Sequence, residues 1–271
     1  MQDKIHDNQS WKSMGRCIWL VISIAVLWAS AGHAAQEQDE VAGDTDPTKP
    51  VAFSLRNEYF NIQNDVWRNA GILRADRLVL RKTSAPEHLP GILLRLDVPF
   101  LGVDTGLDSE AGLGDLYAQA LLVPRPRKGF TVAYGTGLVF PTATGDLLGS
   151  GKWLVSPALI PVQFFPKRKG LAYLKLQDWL SFAGDADRPD VHYLTVTPTV
   201  IYRLTRRWFA LVDSEAKVDW ERNQHTSCRS GIEIGYMFSN RIGAWVKGEI
   251  PWGQYREGDW ILKASVLFTR Y

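Results

Sequence analysis

The sequence lacks three features that would assign it to common soluble or cofactor-dependent classes. Only 2 of its 271 residues are cysteine, which excludes a disulfide scaffold and a cysteine-rich metal site. Lys and Arg number 31 against 29 Asp and Glu, so a net charge of +2 gives no whole-chain basis for nucleic-acid binding. From Val51 onward no segment sustains a 3.6-residue hydrophobic period, which excludes a helical bundle. With 23 glycines and 11 tryptophans, the composition favours a β-rich protein.

One long apolar run, residues 17–31, lies near the start of the chain. At about 15 residues it is shorter than the roughly 20 that a spanning helix needs. Basic residues precede it and small residues follow it, which predicts an export signal peptide over residues 1–34, with Met14 as an alternative start. Residues 35–50 are acidic and contain few apolar side chains, so we expect a flexible linker before a folded part at 51–271.

The folded part divides into apolar-rich segments separated by turn-forming clusters, a pattern typical of an all-β protein. Twelve strands are predicted, at residues 51–62, 72–82, 92–101, 114–123, 129–140, 153–165, 171–182, 191–204, 208–220, 230–238, 241–250 and 259–271. The connections alternate between short and longer ones, with the longer set expected outside the cell.

The faces of these strands indicate what surrounds them. In the predicted ninth strand the even positions from Trp208 to Trp220 are apolar or small, and the odd positions include Asp213, Glu215, Lys217 and Asp219. Twelve steps of about 3.3 Å, tilted near 45°, cover roughly the height of a bilayer's apolar band, with a tryptophan at each end. The pattern predicts an antiparallel up-and-down transmembrane β-barrel of about 12 strands in the outer membrane. A soluble sandwich is the alternative, but its strands are usually shorter.

If odd positions face inward, the lumen receives a mixture of acids and bases. The residues expected to line it are Arg95, Asp97, Lys175, Asp213, Glu215, Lys217, Glu233, Lys247, Glu249 and Lys263. They could form a ladder of cross-strand pairs that stiffens the barrel, or they could line an aqueous path and select solutes. Arg95 and Asp97, two residues apart on one face, are expected to pair with each other. Aromatic side chains on the same face could stack on a solute or pack the lumen: Tyr117, Tyr173, Trp179 and Trp245.

Two glycine-rich segments carry a family resemblance. Residues 112–116 read Gly-Leu-Gly-Asp-Leu, and residues 137–157 run from Gly-Leu-Val-Phe-Pro-Thr-Ala-Thr-Gly-Asp to Ser-Pro. In order and spacing these segments resemble the MetA-pathway of phenol degradation family of outer-membrane proteins. The resemblance implies a barrel and the passage of aromatic or other hydrophobic compounds. From their glycines we expect a compact external loop, with Asp115 and Asp146 capping its turns or binding a cation.

The function expected from these patterns is a channel or transporter for small hydrophobic or aromatic solutes. We expect a monomer that contacts outer-membrane lipids, the barrel-assembly machinery and a small hydrophobic solute, with no cofactor, metal or nucleic acid. A structural or adhesive barrel without transport is one alternative. A lipid hydrolase is another, because His225 and Ser227 have the H-x-S spacing of outer-membrane phospholipases, although Cys228 and Arg229 stand where those enzymes place Asn.

Overall fold

The computed structural model describes residues 51–63, 66–79 and 90–269. The expected signal peptide at residues 1–34 and the expected linker at residues 35–50 lie outside this part, as does the end of the last predicted strand, residues 270–271. Within it the strands are β1 (Val51–Gln63), β2 (Val66–Val79), β3 (Gly91–Asp104), β4 (Ser109–Leu113), β5 (Leu116–Val123), β6 (Phe130–Phe140), β7 (Lys152–Phe164), β8 (Gly170–Gly184), β9 (His192–Arg203), β10 (Trp208–Asp219), β11 (His225–Met237), β12 (Ile242–Trp252) and β13 (Trp260–Thr269). A short 3-10 helix, Pro166–Arg168, joins β7 to β8. No helix in these residues is long and apolar enough to cross a bilayer.

The sheet closes on itself. Apart from β4 and β5, each strand pairs antiparallel with its neighbours in sequence, and β1 pairs with β13. Both β4 and β5 pair with β3, so they form one barrel strand interrupted at Gly114 and Asp115. The prediction of a 12-stranded antiparallel barrel is therefore confirmed.

Two strands begin much earlier than the sequence predicts. β2 begins at Val66 and not at residue 72, and β11 begins at His225 and not at residue 230. Residues 225–229 are polar, yet each pairs in register with residues 215–219 of β10. A ladder that continues beyond the apolar band needs no apolar face, so the hydrophobic pattern marks too late a start.

The outer surface is an apolar band with aromatic rings at both ends. Exposed large side chains such as Leu55, Ile232 and Ile250 alternate with inward-facing ones. At the end with short turns, between β9 and β10 and between β11 and β12, Trp208 packs on Tyr236 with 4.8 Å between ring centres. At the opposite end, which carries the longer loops, Tyr59 packs on Trp67 and Trp260. This is the exterior of a transmembrane barrel. Below we call these the short-turn end and the long-loop end.

Two prolines interrupt the ladder between β7 and β8. The register between these strands lacks the four pairs 156/179, 157/178, 160/175 and 161/174, whereas β6 pairs continuously with β7. These are the pairs that need an N–H from Pro157 and Pro161, and proline has none. A closed barrel has no edge strand on which to place proline, so this seam lacks two cross-strand hydrogen bonds.

Replacing both prolines with valine should stabilise the barrel. Each new N–H gains a hydrogen bond of about 0.5–1.5 kcal/mol, and the freer unfolded chain offsets about 0.4–1 kcal/mol of that gain. We therefore expect a net gain of up to about 2 kcal/mol for Pro157→Val with Pro161→Val in urea unfolding of the refolded barrel. Leu159→Val, on the outer face between them, is the control and should gain nothing. A double variant no more stable than the wild type would show that the proline nitrogens do not face β8 carbonyls.

Candidate functional site

A cavity of about 300 Å³ lies in the barrel lumen. Its lining contains more cations than carboxylates: Arg56, Arg74, Arg95, Lys175, Arg229, Lys247 and Lys263, with Glu58, Asp213, Glu215 and Glu249. Leu93, Leu121, Ile160 and Tyr173 complete part of its wall toward the short-turn end. The cavity is thus polar over most of its surface and apolar on one side.

The structure brings seven of the ten expected lumen residues to this cavity: Arg95, Lys175, Asp213, Glu215, Lys247, Glu249 and Lys263. The other three do not line it. Asp97 accepts a hydrogen bond from Arg74. Glu233 is buried opposite Lys247 in the β11–β12 register. Lys217 pairs with Glu257 of the β12–β13 loop at 2.9 Å.

The assumption that odd positions face inward is wrong for β1, β2 and β7. In these strands the even residues are buried, because the inward parity of one strand does not carry over to another across a connection. The odd-position pattern therefore did not reveal Arg56, Glu58, Arg74 and Asp76. Arg229 was not predicted either, because the loop before β11 was expected to extend to residue 229. The alternation within each strand, read separately, would have found the first four.

Two arginines and two aspartates form a closed set of cross-strand pairs between β2 and β3. Arg74 lies opposite Asp97 and Asp76 lies opposite Arg95. Arg74 donates to both oxygens of Asp97 at 2.7 Å, and Arg95 donates to those of Asp76 at 2.9 and 2.8 Å. The expected pairing of Arg95 with Asp97 is thus wrong, because side chains on facing strands meet in the planar fork geometry that arginine favours.

A second charged network crosses β1 and β10 to β13. Glu249, whose side chain is 3% exposed, accepts from Lys247 at 2.7 Å and from Lys263 at 2.9 Å. Lys247 also pairs with Asp213. Gly231 makes room for this contact, since a Cβ there would lie 2.7 Å from Glu249 Cγ.

This network continues at both edges. Arg229 pairs with Glu215 at 2.8 Å and Arg56 pairs with Glu58 at 2.7 Å. Low-dielectric surroundings make unpaired charges costly, and the network keeps these charges compensated.

The opposite wall is neutral. Gln177 donates to Tyr117 Oη at 2.8 Å and to Ser156 Oγ at 3.0 Å. A Cβ on Gly137 would overlap both of these hydroxyl groups, so glycine is needed there.

The four expected stacking residues separate into three places. Tyr117 packs on Trp179, which stacks on Tyr193 with 5.8 Å between ring centres, near the long-loop end. Tyr173 lines the cavity. Trp245 lies in a buried apolar cluster and does not reach the cavity. Tyr193 was not among the predicted stacking residues, although it too occupies an odd, inward-facing position, in β9.

Apolar side chains fill the lumen toward the short-turn end. One cluster contains Leu93, Leu121, Val123, Ala133, Ala158, Ile160, Val162, Leu171, Ile201 and Leu211. A second contains Phe209, Trp245 and Leu267, with Met237 packed against it. We call the two together the apolar layer. It lies on the inward face, since its neighbours in sequence, such as Leu94 and Val212, are exposed on the outside.

The glycine-rich segments form a compact loop at the long-loop end. Asp115 accepts hydrogen bonds from Ala143 N at 3.2 Å, Ser150 N at 2.7 Å and Ser150 Oγ at 3.0 Å. Asp146 pairs with Arg188 at 2.8 Å. Asp115 thus caps the loop, which is one of the two roles expected for it. No cluster of three metal-ligating side chains occurs in residues 51–63, 66–79 or 90–269.

A further ion pair anchors this loop region. Lys152 donates to Asp190 at 2.9 Å, and this hydrogen bond lowers the pKa of the exposed Asp190 carboxyl. A lowered carboxyl pKa stabilises the fold above the ordinary pKa and loses its effect as the pH falls through the lowered one. The contact therefore persists at neutral pH and is lost only in acid.

The hydrolase alternative gains no support from the geometry. His225 stacks on Tyr255 with 3.8 Å between ring centres. Among the described residues, no hydrogen bond joins His225 to Ser227, as a nucleophile and its base require. Both occupy odd positions of β11, the inward parity of that strand.

The sequence matches no family model and no curated protein, but solved structures share the fold. The COG4313 outer membrane channel from Pseudomonas putida F1 superposes with a TM-score of 0.68 and 13% identity, over 84% of this chain and 99% of that one. The NanC porin gives 0.59 and 10% identity over 81% and 100%, and the KdgM porin gives 0.53 and 10% over 81% and 99%. These likenesses show the fold, which agrees with the outer-membrane location expected from the sequence.

Removing one buried carboxylate should destabilise the barrel far more than removing an exposed one. Asp76, whose side chain is 0% exposed, holds Arg95 through two hydrogen bonds. We expect Asp76→Asn to cost about 3 kcal/mol, because it leaves a buried guanidinium uncompensated. Asp146→Asn, at a pair whose carboxylate is 92% exposed, should cost less than about 1 kcal/mol in the same urea titration. Equal losses would contradict a dry environment for the β2–β3 pairs.

Removing the Asp115 cap should loosen the loop without unfolding the barrel. Asp115→Ala deletes three hydrogen bonds to a carboxylate, so residues 141–151 should become more accessible to protease. Brief proteolysis followed by mass spectrometry would locate the cuts. Asp108→Ala, in the neighbouring loop, should leave this segment as resistant as in the wild type. Unchanged resistance in Asp115→Ala would mean that other contacts hold the loop.

Proposed function

We propose that the protein is an outer-membrane channel for small solutes that carry a hydrophobic or aromatic part. The apolar layer is the observation that carries this proposal. A pore for hydrated ions is lined by polar or charged groups throughout, whereas an apolar constriction excludes water and the ions dissolved in it. An apolar solute gains free energy there, at about 25 cal/mol for each Å² of apolar surface removed from water.

The order of surfaces along the lumen supports the same solute class. Tyr117, Trp179 and Tyr193 form an aromatic cluster near the long-loop end, with the Lys217 ammonium over the Tyr193 ring. The charged cavity follows, and the apolar layer lies beyond it. A solute with an apolar body would therefore meet aromatic, polar and apolar surfaces in turn. The resemblance to the MetA-pathway family points to the same solute class.

Opening the apolar layer should turn the barrel into an ion-conducting pore. Phe209 and Leu211 of β10 face inward and are buried. Val212, the next residue of the same strand, faces outward and is 48% exposed. We expect Phe209→Ala with Leu211→Ala to raise KCl conductance severalfold in planar bilayers, because smaller side chains admit water. Val212→Ala is the matched control and should conduct like the wild type. A wild type that already conducts as well as the double variant would contradict a dry layer.

The solute class is tested with outer-membrane vesicles that contain or lack the protein. The protein should accelerate uptake of 2-phenylethanol and leave that of arabinose, an uncharged polar sugar, unchanged. Equal acceleration of both solutes would indicate a general polar pore. Acceleration of neither would favour a structural barrel without transport.

A further inference from the structure

The carboxylates that line the cavity do not compensate every lining cation. Arg74 and Arg95 are paired by Asp97 and Asp76, which lie outside the lining. Five lining cations then remain for four lining carboxylates: Arg56, Lys175, Arg229, Lys247 and Lys263 against Glu58, Asp213, Glu215 and Glu249. Ion pairs hold all of these except Lys175, which is the one lining cation without an ion-pair partner among the described residues.

The nearest row of side chains explains why Lys175 stays unpaired. Lys175 lies opposite Thr197 in the β8–β9 register, and Thr197 Oγ1 donates to Glu215 at 3.4 Å. Glu215 also accepts from Arg229 at 2.8 Å. Both oxygens of the Glu215 carboxylate therefore already have partners, Oε2 with Thr197 and Oε1 with Arg229. On its other side Lys175 adjoins β7 at the broken pair 160/175, where Ile160 is apolar.

A second donor in the same cavity also lacks a partner. Gln119, on β5, is 7% exposed and lines the cavity. Its side-chain Nε2 is buried and makes no hydrogen bond in the described structure. A buried amide donor without an acceptor is unfavourable, so native proteins rarely leave one. A ligand that accepts hydrogen bonds would satisfy both groups.

The surfaces around these donors define the rest of the ligand. Three residues of the apolar layer, Ile160, Leu121 and Leu93, line the cavity together with Tyr173, which packs against that layer. A volume of about 300 Å³ is at the lower limit of small-molecule sites and fits a single ring with a short side chain.

We propose that the cavity is a binding site for a small organic carboxylate with an apolar or aromatic body, whose carboxylate accepts from Lys175 and Gln119. This site deepens the proposed function and rests on it, because it names the class of ligand that the charged part of the lumen holds next to the apolar layer. The body of the ligand packs on Tyr173 and Ile160. The ion pairs of the other cations hold the cavity in shape before the ligand arrives, which lowers the cost of ordering it.

The test measures binding to the refolded full-length barrel in detergent by titration calorimetry. The probes are phenylacetate and 2-phenylethanol, which differ mainly in the carboxylate. We expect the wild type to bind phenylacetate, and we expect Lys175→Gln to weaken that binding about tenfold or more, because a charged hydrogen bond is lost. Lys175→Arg should retain most of the affinity. Binding of 2-phenylethanol should be the same in wild type and Lys175→Gln.

Gln119→Leu is the second variant, and Lys169→Gln in the β7–β8 turn is the control. Gln119→Leu should weaken phenylacetate binding severalfold, and Lys169→Gln should leave it unchanged. Heat-modified migration in gel electrophoresis verifies that each variant is folded. Should either site variant fail to fold, the other and Lys175→Arg still decide the result.

The outcomes separate this site from the channel itself. Wild-type affinity for phenylacetate in both Lys175→Gln and Gln119→Leu, or no binding by the wild type, would overturn the carboxylate site. If the protein still accelerates 2-phenylethanol uptake in that case, the proposed function stands and only the carboxylate site fails. If it does not accelerate 2-phenylethanol uptake while phenylacetate binds through Lys175, the proposed function fails and the barrel is a binding protein for organic carboxylates.

Discussion

Compensation of charge inside the lumen is the constraint on which the rest of the structure depends. A closed sheet exposes one face of every strand to lipid, so all polar side chains of the spanning region must be satisfied on the other face. The fork pairs of Arg74 with Asp97 and Arg95 with Asp76 do this on one side of the barrel. The network around Glu249 does it on the other. Between them the side chains have little freedom, and the cavity they leave is small and fixed.

The same constraint explains where the structure departs from regularity. Inward glycines such as Gly137 and Gly231 occur where a polar side chain from a neighbouring strand lies across the backbone. Pro157 and Pro161 remove hydrogen bonds from the β7–β8 seam, beside the part of the cavity where Lys175 has no ion-pair partner. The lining cation without an ion-pair partner therefore adjoins a seam that lacks two cross-strand hydrogen bonds.

The sequence was sufficient to predict the fold and most of the lumen, for a physical reason. Lipid outside and polar groups inside impose a period of two on every spanning strand, and β12 and β13 display it most regularly. Partners could not be predicted, because they depend on register across strands. Arg95 therefore pairs with Asp76 and not with its near neighbour Asp97. The inward faces of β1, β2 and β7 were missed because parity was carried from one strand to others across turns of unknown length.

The apolar layer was also hidden in the sequence. Leu211 and Trp245 sit at odd positions of strands that also carry charged odd residues, so they look like local exceptions. Only closure of the sheet brings these exceptions from many strands to one level of the lumen. A charged cavity that ends at a dry layer is the central feature of the account, since both the solute class and the carboxylate site follow from it.

The most direct test of this feature is a water-accessibility profile along β10. Single cysteines at positions 209, 211, 213, 215 and 217, in a Cys228→Ser background, would be exposed to a charged, water-soluble thiol reagent in intact membranes. The account predicts labelling at 213, 215 and 217 and none at 209 or 211. Labelling at all five positions would show a water-filled pore through the whole barrel and would contradict the dry layer.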